Sequence, residues 1–362
     1  MRREGDLIEI HRSLLPLAWL YGAGVRLRNK MYDAGLIKSS AFDIPLISVG
    51  NITVGGTGKT PHVEHIVRLL SCDMRIAVLS RGYKRKTRGY RLADESATAA
   101  DIGDEPLQMK RKFGDTIYVA VSEDRCEGVR RLTSDDVTKD VQAIILDDAF
   151  QHRRLQPDIS IVLVDYRRPV AYDSLLPAGR LREPASGLRR ADIVVVTKCP
   201  DGMRRSDFRM TARTLSLDKG QSLYFSSIDY GALIPLQGGS NKVPSMMPED
   251  TNVLLITGIA SPRPMAEHLK SSCRNVTTMA FADHHNFSSR DLLHLNEAFE
   301  ALPSPKIAIT TEKDAARLAT TQGLSAMLRR SLFVLPIKVK FLNGGEQAFN
   351  EEIKRVVRKH RP

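Results

Sequence analysis

A glycine-rich segment that overlaps the end of an apolar run constrains this chain most. The apolar run from Ile44 to Val49 is typical of a buried strand, and the segment from Ser48 to Thr60 reads Ser-Val-Gly-Asn-Ile-Thr-Val-Gly-Gly-Thr-Gly-Lys-Thr. In a phosphate-binding loop, glycines turn successive backbone N–H groups toward phosphates, the lysine reaches the β- and γ-phosphates, and the threonine hydroxyl binds Mg²⁺. The sequence therefore predicts a strand, a phosphate loop and a helix that together bind a nucleoside triphosphate.

The loop departs from the general pattern at Thr53, which stands where a glycine is usual. Gly50, Gly55 and Gly56 supply flexibility instead. A glycine-rich turn that only caps a helix is the less favoured alternative, because strand, glycines, Gly-Lys-Thr and a helical pattern follow in the required order. The predicted nucleotide-binding residues are Asn51, Thr53, Val54, Gly55, Gly56, Thr57, Gly58, Lys59 and Thr60.

Composition limits the class of protein and of partner. With 362 residues and 42% hydrophobic content, the chain can bury a large core, in two domains or in one domain with a second lobe. Its four cysteines have no paired spacing that would indicate a zinc site or a disulfide framework. The net charge of +12 favours anionic partners. Nucleic acid is the weakest candidate because aromatics are only 6% of the chain and no reader motif is present, so we expect none to bind.

The N-terminal apolar run from Leu14 to Val25 is too short, at about 1.5 Å per residue, for a hydrocarbon core of roughly 30 Å. No cleavage-site pattern of a secretory signal follows it. With Trp19 and Tyr21 and basic flanks, it fits an amphipathic helix in the interface of an anionic membrane. A helix docked on the protein core is an equal alternative.

Continuous β-branched runs alternate with helical segments along the next part of the chain. This pattern predicts a parallel sheet covered on both faces, the α/β sandwich of phosphate-loop proteins. A Gly-, Ser- and Pro-containing stretch then separates a second, smaller α/β lobe. The predicted strands after the loop are 75–80, 116–120, 141–146, 159–164 and 193–197 in the first lobe, and 252–257, 276–281 and 306–310 in the second.

The predicted segments are an N-terminal membrane-associating helix over 1–35, a nucleotide-binding lobe over 36–225, a linker over 226–250 and a smaller lobe over 251–362.

Polar residues follow several of these strands. Asp147 and Asp148 end one strand and favour a Mg²⁺ site, although paired aspartates also occur in turns and caps. The basic run 81–91 is either a phosphate contact or a solvated loop. Asp104 and Glu105 are either helix caps or general bases that accept a hydroxyl proton.

Five further candidate residues, two histidines and three arginines, lie outside the nucleotide loop. Of the adjacent His284 and His285, at most one is expected to be catalytic, because neighbouring side chains on an extended segment point to opposite sides. Arg180 and Arg182 lie in a Pro/Gly-bounded loop and suit phosphate binding, and Arg125 is a weaker candidate.

Two other classes of protein compete with a kinase. A regulatory GTPase would need an Asn/Thr-Lys-x-Asp guanine reader after a strand, but Thr197-Lys-Cys is followed by Pro200 at the aspartate position. A nucleic-acid-dependent ATPase would show steep salt dependence of DNA binding.

Seven motifs, in order along nearly the whole chain, resemble those of the tetraacyldisaccharide 4′-kinase family, the lipid A kinases. They are Ser48 to Pro61, Ser80-Arg-Gly-Tyr-Lys-Arg85, Gly103-Asp-Glu-Pro106, Asp147-Asp-Ala-Phe-Gln-His-Arg153, Leu176-Pro-Ala-Gly-Arg-Leu-Arg-Glu-Pro184, Phe281-Ala-Asp-His284 and Thr311-Glu-Lys-Asp314. Thr53 is normal within this family, whereas Ala149 stands where glycine is common. That change should alter turn flexibility more than chemistry.

The resemblance implies a monomeric peripheral enzyme on the cytoplasmic face of a bacterial inner membrane. It would transfer the γ-phosphate of ATP, with Mg²⁺, to the 4′-hydroxyl of a lipid A disaccharide 1-phosphate, giving lipid IVA. The implied catalytic residues are Asp104, His284, Lys59, Glu105 and Arg180; the metal residues are Thr60, Asp147 and Asp148; and the substrate-binding residues are Tyr83, Arg125 and Arg180.

Overall fold

The computed structural model describes residues 8, 10–236, 250–259, 262–282, 285–319 and 321–360. The chain divides into two compact units. The larger unit comprises residues 1–228 and 339–362, and the smaller unit comprises residues 229–338.

The strands of the described residues are β1 (Leu46–Asn51), β2 (Ile76–Ser80), β3 (Arg91–Leu92), β4 (Ile117–Val121), β5 (Ala143–Asp147), β6 (Ile159–Asp165), β7 (Ile193–Thr197), β8 (Ser222–Tyr230), β9 (Ile234–Pro235), β10 (Asn252–Thr257), β11 (Asn275–Ala280), β12 (Lys306–Thr311), β13 (Leu332–Leu335) and β14 (Ile337–Phe341). The helices are α1 (Leu15–Asp33), α2 (Lys59–Ser71), α3 (Ala99–Ile102), α4 (Asp104–Phe113), α5 (Arg125–Ser134), α6 (Arg205–Leu215), α7 (Arg263–Lys270), α8 (Ser289–Glu300), α9 (Glu312–Leu318), α10 (Ala326–Arg330) and α11 (Gly345–Lys359).

The larger sheet has nine strands among the described residues, in the order β14-β8-β7-β6-β1-β5-β2-β4-β3. The strands from β8 to β4 in this order pair in parallel, and the short β3 at one edge is antiparallel to its neighbour β4. The predicted parallel α/β sandwich is therefore confirmed.

Both faces of this sheet are buried, as the continuous apolar strands predict. On β1, Ile47 and Val49 face one core together with residues of α2, α4 and α11. The neighbouring Leu46 faces the opposite core, which includes Val129 and Leu132 of α5. This two-sided burial fixes the register of β1 and so fixes where the loop after it emerges.

Among its described residues, the smaller unit contains a five-stranded sheet, in the order β11-β10-β12-β13-β9. Its first four strands are parallel, and β9 pairs antiparallel with β13. The predicted smaller α/β lobe is present.

The limits of the two units differ from the predicted segments. Residues 339–362 belong to the larger unit, because α11 packs Phe349, Ile353 and Val357, one helical turn apart, into the core shared with α2. Part of the predicted linker, 226–236, contains the end of β8 and the short β9. Residues 237–249 lie outside the described part.

Candidate active site

The carboxyl ends of three neighbouring parallel strands bring the predicted motifs together. In the sheet, β1 pairs with β5 and β5 pairs with β2. The glycine-rich loop follows β1, Asp147 and Asp148 end β5, and the basic run begins after β2. Ligands of open parallel sheets bind outside this edge, so the sequence-predicted residues converge where a nucleotide would bind.

The glycine-rich loop presents an exposed backbone that leads into α2. Gly55 and Gly58 have φ values of 110° and 85°, in the left-handed region that favours glycine. A Cβ atom on Gly55 or Gly56 would meet nothing within 4 Å. Since α2 begins at Lys59, the positive end of its dipole points at the same place.

Thr53 shows why a glycine is unnecessary at its position. It forms an isolated antiparallel bridge with Leu181. On either side of it, the Val54 N–H donates to the Arg180 carbonyl at 2.8 Å, and the Arg182 N–H donates to the Ile52 carbonyl at 2.8 Å. The start of the loop is therefore extended backbone, which a β-branched residue favours.

Asp148 lies between two cations. Its Oδ1 is 3.5 Å from Lys59 Nζ, and its Oδ2 is 3.3 Å from Arg182 Nη1. Burial raises the pKa of Asp148, but Lys59 and Arg182 outweigh burial, so its pKa is lowered and the carboxylate is ionised. Asp148 itself has the left-handed φ of 51°, so the turn does not require glycine at Ala149.

Asp147 is more deeply buried than Asp148. Its side chain is 5% exposed, and Oδ1 has no hydrogen-bond partner among the described residues. Burial raises its pKa, and the carboxylates of Glu105 and Asp148 raise it further against the opposing effect of Lys59. A buried, unpartnered carboxylate oxygen beside a second carboxylate is a donor set that suits Mg²⁺.

Arg125 is buried behind this acidic pair. It is 3% exposed, and its guanidinium donates to the Ser122 carbonyl at 2.6 Å and to the Asp147 carbonyl at 3.3 Å. Burial lowers its pKa to about 10. The structure thus places Arg125 as a support for the end of β5, and a direct contact with substrate stays a prediction.

Asp104 and Glu105 form the first turn of α4, and their position depends on two glycines. A Cβ atom on Gly103 would lie 2.9 Å from the Tyr83 carbonyl oxygen, and one on Gly82 would lie 2.9 Å from the Ile102 carbonyl oxygen. The loop after β2 and the start of α4 therefore pack backbone against backbone. Glu105 is close enough to raise the pKa of Asp147.

The remaining predicted residues are placed less closely around this edge. Tyr83 is 66% exposed. The side chain of Arg180 is exposed, although its carbonyl pairs with the loop; Arg182 supplies the cation that contacts Asp148. His284 lies outside the described residues, and its role stays a prediction.

Several residues hold the loop from behind, and sequence reasoning missed those of them that lie outside the loop. Asn51 Nδ2 donates to Thr57 Oγ1 at 2.7 Å, so this side chain braces the loop from inside the core. Lys198 and Thr197, at the end of β7, donate to carbonyls of the loop. Their place at the end of the predicted strand 193–197 is the signal that points to this edge of the sheet, but the pattern Thr197-Lys-Cys resembles a guanine reader rather than a support for the loop.

Helix α1 binds the same loops with one face and exposes the other. Tyr21 Oη donates to the Arg182 carbonyl at 2.8 Å, and Arg28 donates to the Gln151 carbonyl at 3.0 Å. The small residues Ala18 and Gly22 are its buried positions. Its exposed apolar residues are Leu17, Trp19, Leu20 and Leu27, at 54–73% exposure. Among the described residues, no helix combines the length and apolarity needed to cross a bilayer.

Comparison with known proteins agrees with this geometry. Residues 10–358 match the family model described as tetraacyldisaccharide-1-P 4′-kinase, LpxK. The tetraacyldisaccharide 4′-kinase of Phocaeicola vulgatus is 48% identical over 99% of this chain and 98% of its own length. That of Bacteroides fragilis is 47% identical over 99% and 96%.

A solved structure extends the similarity to three dimensions. It is the crystal structure of the "apo" form of LpxK from Aquifex aeolicus in complex with ATP. The two structures match with a TM-score of 0.71 at 29% sequence identity, and the match covers 96% of this chain and 99% of the other. The chain has a phosphate loop at the edge of a parallel sheet, and it matches the family model and its relatives over nearly its whole length. It therefore belongs to the tetraacyldisaccharide-1-P 4′-kinase family.

Proposed function

We propose that this chain transfers the γ-phosphate of ATP to the 4′-hydroxyl of a tetraacylated disaccharide 1-phosphate in lipid A biosynthesis, at the carboxyl edge of the nine-stranded sheet. The observation that carries the proposal is the grouping of the phosphate loop, Lys59 and the Asp147–Asp148 pair at this edge, in a chain with family relatives of this activity along its whole length.

ATP binds to the phosphate loop in this proposal. The N–H groups of the loop and the start of α2 receive the β- and γ-phosphates, which suits anions at a helix N-terminus. Lys59, held 3.5 Å from Asp148 and only 14% exposed, is directed along the edge rather than into solvent. It neutralises charge on the terminal phosphate as transfer proceeds.

Thr60, Asp147 and Asp148 would hold Mg²⁺, which in phosphoryl transfer neutralises charge on the phosphates. The unpartnered Asp147 Oδ1 and the ionised Asp148 are the observations that support this set. Arg182 and Lys59 keep Asp148 ionised, so that it is ready to bind a cation without first losing a proton.

Asp104 is the general base in this proposal. At the first turn of α4 it is partly buried, and its neighbour Glu105 is near enough to Asp147 to affect that group's pKa. An aspartate there accepts the proton of the attacking hydroxyl and orients it toward the γ-phosphate. We assign Glu105 to orienting Asp104, and Tyr83 and Arg180 to substrate binding. Arg125 holds the Asp147 backbone in this proposal. A catalytic role for His284 stays a prediction.

The acceptor has fatty chains and stays in its bilayer, so we propose that the enzyme works as a monomer bound peripherally to the cytoplasmic face of the inner membrane. The apolar face of α1 would enter the lipid interface, while basic residues near it meet anionic headgroups. Support comes from the contacts of α1 with the loops around Arg182 and Gln151, because they join the exposed apolar face to the candidate active site.

An activity assay tests the function. Purified chain, ATP and Mg²⁺ are incubated with the tetraacylated disaccharide 1-phosphate in detergent micelles, and the lipid product is followed by mass spectrometry. We expect a product one phosphate heavier, with the added phosphate on the 4′ position. ATP binding without any phosphorylated lipid would contradict the proposal.

A further inference from the structure

Three successive carbonyls of the phosphate loop accept hydrogen bonds from side chains outside the loop. We call these three side chains the carbonyl clamp. The contacts are Lys198 Nζ to the Gly56 carbonyl, Thr197 Oγ1 to the Thr57 carbonyl at 2.9 Å, and His62 Nδ1 to the Gly58 carbonyl at 2.7 Å. Because buried or constrained carbonyls need partners, the clamp determines which way this backbone faces.

When these carbonyls are held in place, the geometry of the peptide bond fixes the direction of the N–H groups that follow them. In a planar trans peptide, the carbonyl of one residue and the N–H of the next point in opposite directions. Holding the carbonyls of Gly56, Thr57 and Gly58 therefore turns the N–H groups of Thr57, Gly58 and Lys59 to the opposite side. No hydrogen bond within the described part of the chain uses these three N–H groups.

Lys198 has a strained backbone conformation. Its φ is 54°, which is unusual for a residue with a side chain. Its ammonium group also pairs with Asp165 Oδ2, at the end of β6, at 2.7 Å, and both side chains are at most 20% exposed. Lys198 thus ties together the ends of β6 and β7 and the loop after β1.

Thr197 and His62 are buried, so their contacts with the loop are shielded from water. Thr197 is 1% exposed, and His62 is 4% exposed. Burial lowers the pKa of His62 to about 4, so the ring is neutral. With Nδ1 facing the Gly58 carbonyl and Nε2 3.0 Å from Ser226 Oγ, the partners assign the proton to Nδ1.

We propose that Thr197, Lys198 and His62 are positioning residues that set the phosphate loop in its anion-binding conformation before the nucleotide arrives. The inference rests on the proposed function in taking ATP as the ligand. Since the loop is already ordered, ATP binding does not have to supply the free energy of ordering it. Loss of a clamp contact should therefore weaken ATP binding without affecting the lipid acceptor.

Lys198→Asn and Thr197→Val separate this role from a role in folding. Asparagine tolerates a left-handed φ, so Lys198→Asn removes the ammonium group while keeping the backbone. Thr197→Val replaces the hydroxyl with a methyl group and keeps the shape of the side chain nearly constant. Lys340→Asn is the matched control, because Lys340 is an exposed lysine of the same unit, 3.7 Å from Asp201.

The measurements are the Kd for ATP by calorimetry, the KM for the lipid acceptor, Tm, and hydrogen exchange of the amides of residues 57–59. We expect each clamp variant to raise the Kd for ATP about tenfold, to speed amide exchange in the nucleotide-free protein, to lower Tm by only a few degrees with unfolding still cooperative, and to leave the acceptor KM nearly unchanged. Lys198→Arg, which restores a donor, should recover most of the affinity, and Lys340→Asn should behave as the unmodified chain.

The outcomes separate the clamp from the proposed function. If the unmodified chain binds no ATP, the proposed function fails. If the unmodified chain binds ATP, and Lys198→Asn and Thr197→Val bind it within about twofold of that affinity, the clamp is refuted. Loss of cooperative unfolding in both variants would also refute it, because the residues would then serve folding rather than the loop.

Discussion

Gly103 connects the backbone of the candidate active site to Asp104, the proposed general base, and replacing Gly103 with alanine gives a sharp test. Its φ of 91° and ψ of 162° lie in a region that is essentially restricted to glycine. The added Cβ would also lie 2.9 Å from the Tyr83 carbonyl oxygen and 3.3 Å from the Gly82 carbonyl carbon, which are backbone atoms that cannot turn aside.

Two contributions to the cost of Gly103→Ala can be separated by a matched variant. Backbone strain costs about 1–3 kcal/mol, and close contact in a packed region costs about 1–3 kcal/mol more. Gly114, at the other end of α4, has a φ of 55° and ψ of −130°, but a Cβ there would meet nothing within 4 Å. Gly114→Ala should therefore show the strain without the contact.

The assays are thermal unfolding and steady-state kinetics of both variants. Each kcal/mol lowers Tm by about 2–4 °C in a unit of this size, so Gly103→Ala should unfold several degrees below Gly114→Ala. A shift of Asp104 by about 1 Å can reduce turnover about 100-fold, so kcat should fall for Gly103→Ala alone. Equal Tm and equal kcat in the two variants would refute the argument that backbone contact positions Asp104.

Three further predictions follow from the site and its surroundings. Lys59→Ala should raise the Kd for ATP about 10- to 100-fold, because a charged hydrogen-bond donor to the phosphates is lost; unchanged affinity in calorimetry would contradict the assignment of Lys59. Trp19 is the only tryptophan in the chain and is 72% exposed. Its fluorescence should therefore shift to the blue with anionic vesicles but not with neutral ones, and Leu20→Ser should weaken this shift. No shift with anionic vesicles would contradict insertion of α1. Burial raises the pKa of Cys199 to about 12, whereas Cys72 is exposed. Iodoacetamide at pH 8 should therefore label Cys72 in the folded protein and leave Cys199 unmodified, as measured by the masses of the two peptides. Rapid labelling of Cys199 would contradict its burial.

Local patterns predicted the elements that depend on local sequence. The strands 193–197 and 252–257 match β7 and β10 to the residue, because continuous β-branched runs specify buried strands by themselves. The phosphate loop and the aspartate pair were predicted at the correct edge, since parallel strands place their carboxyl ends together.

Non-local contacts account for what the sequence did not reveal. The return of residues 339–362 to the larger unit depends on packing against α2, far away in the chain. The choice between Arg180 and Arg182 depends on which side chain of one loop faces Asp148, and the burial of Arg125 depends on β4 and β5 lying on either side of β2. No periodicity or spacing reports these arrangements.

We propose that Asp104 accepts the proton of the acceptor hydroxyl beside ATP bound at the phosphate loop. The variant Asp104→Asn tests this proposal most directly. The measurement is kcat with saturating ATP and acceptor, paired with the Kd for ATP on the same protein. A general base contributes about 100- to 10,000-fold, so kcat should fall at least about 100-fold while the Kd for ATP stays within about twofold. Unchanged kcat, or a loss of ATP affinity as large as the loss of turnover, would contradict the claim.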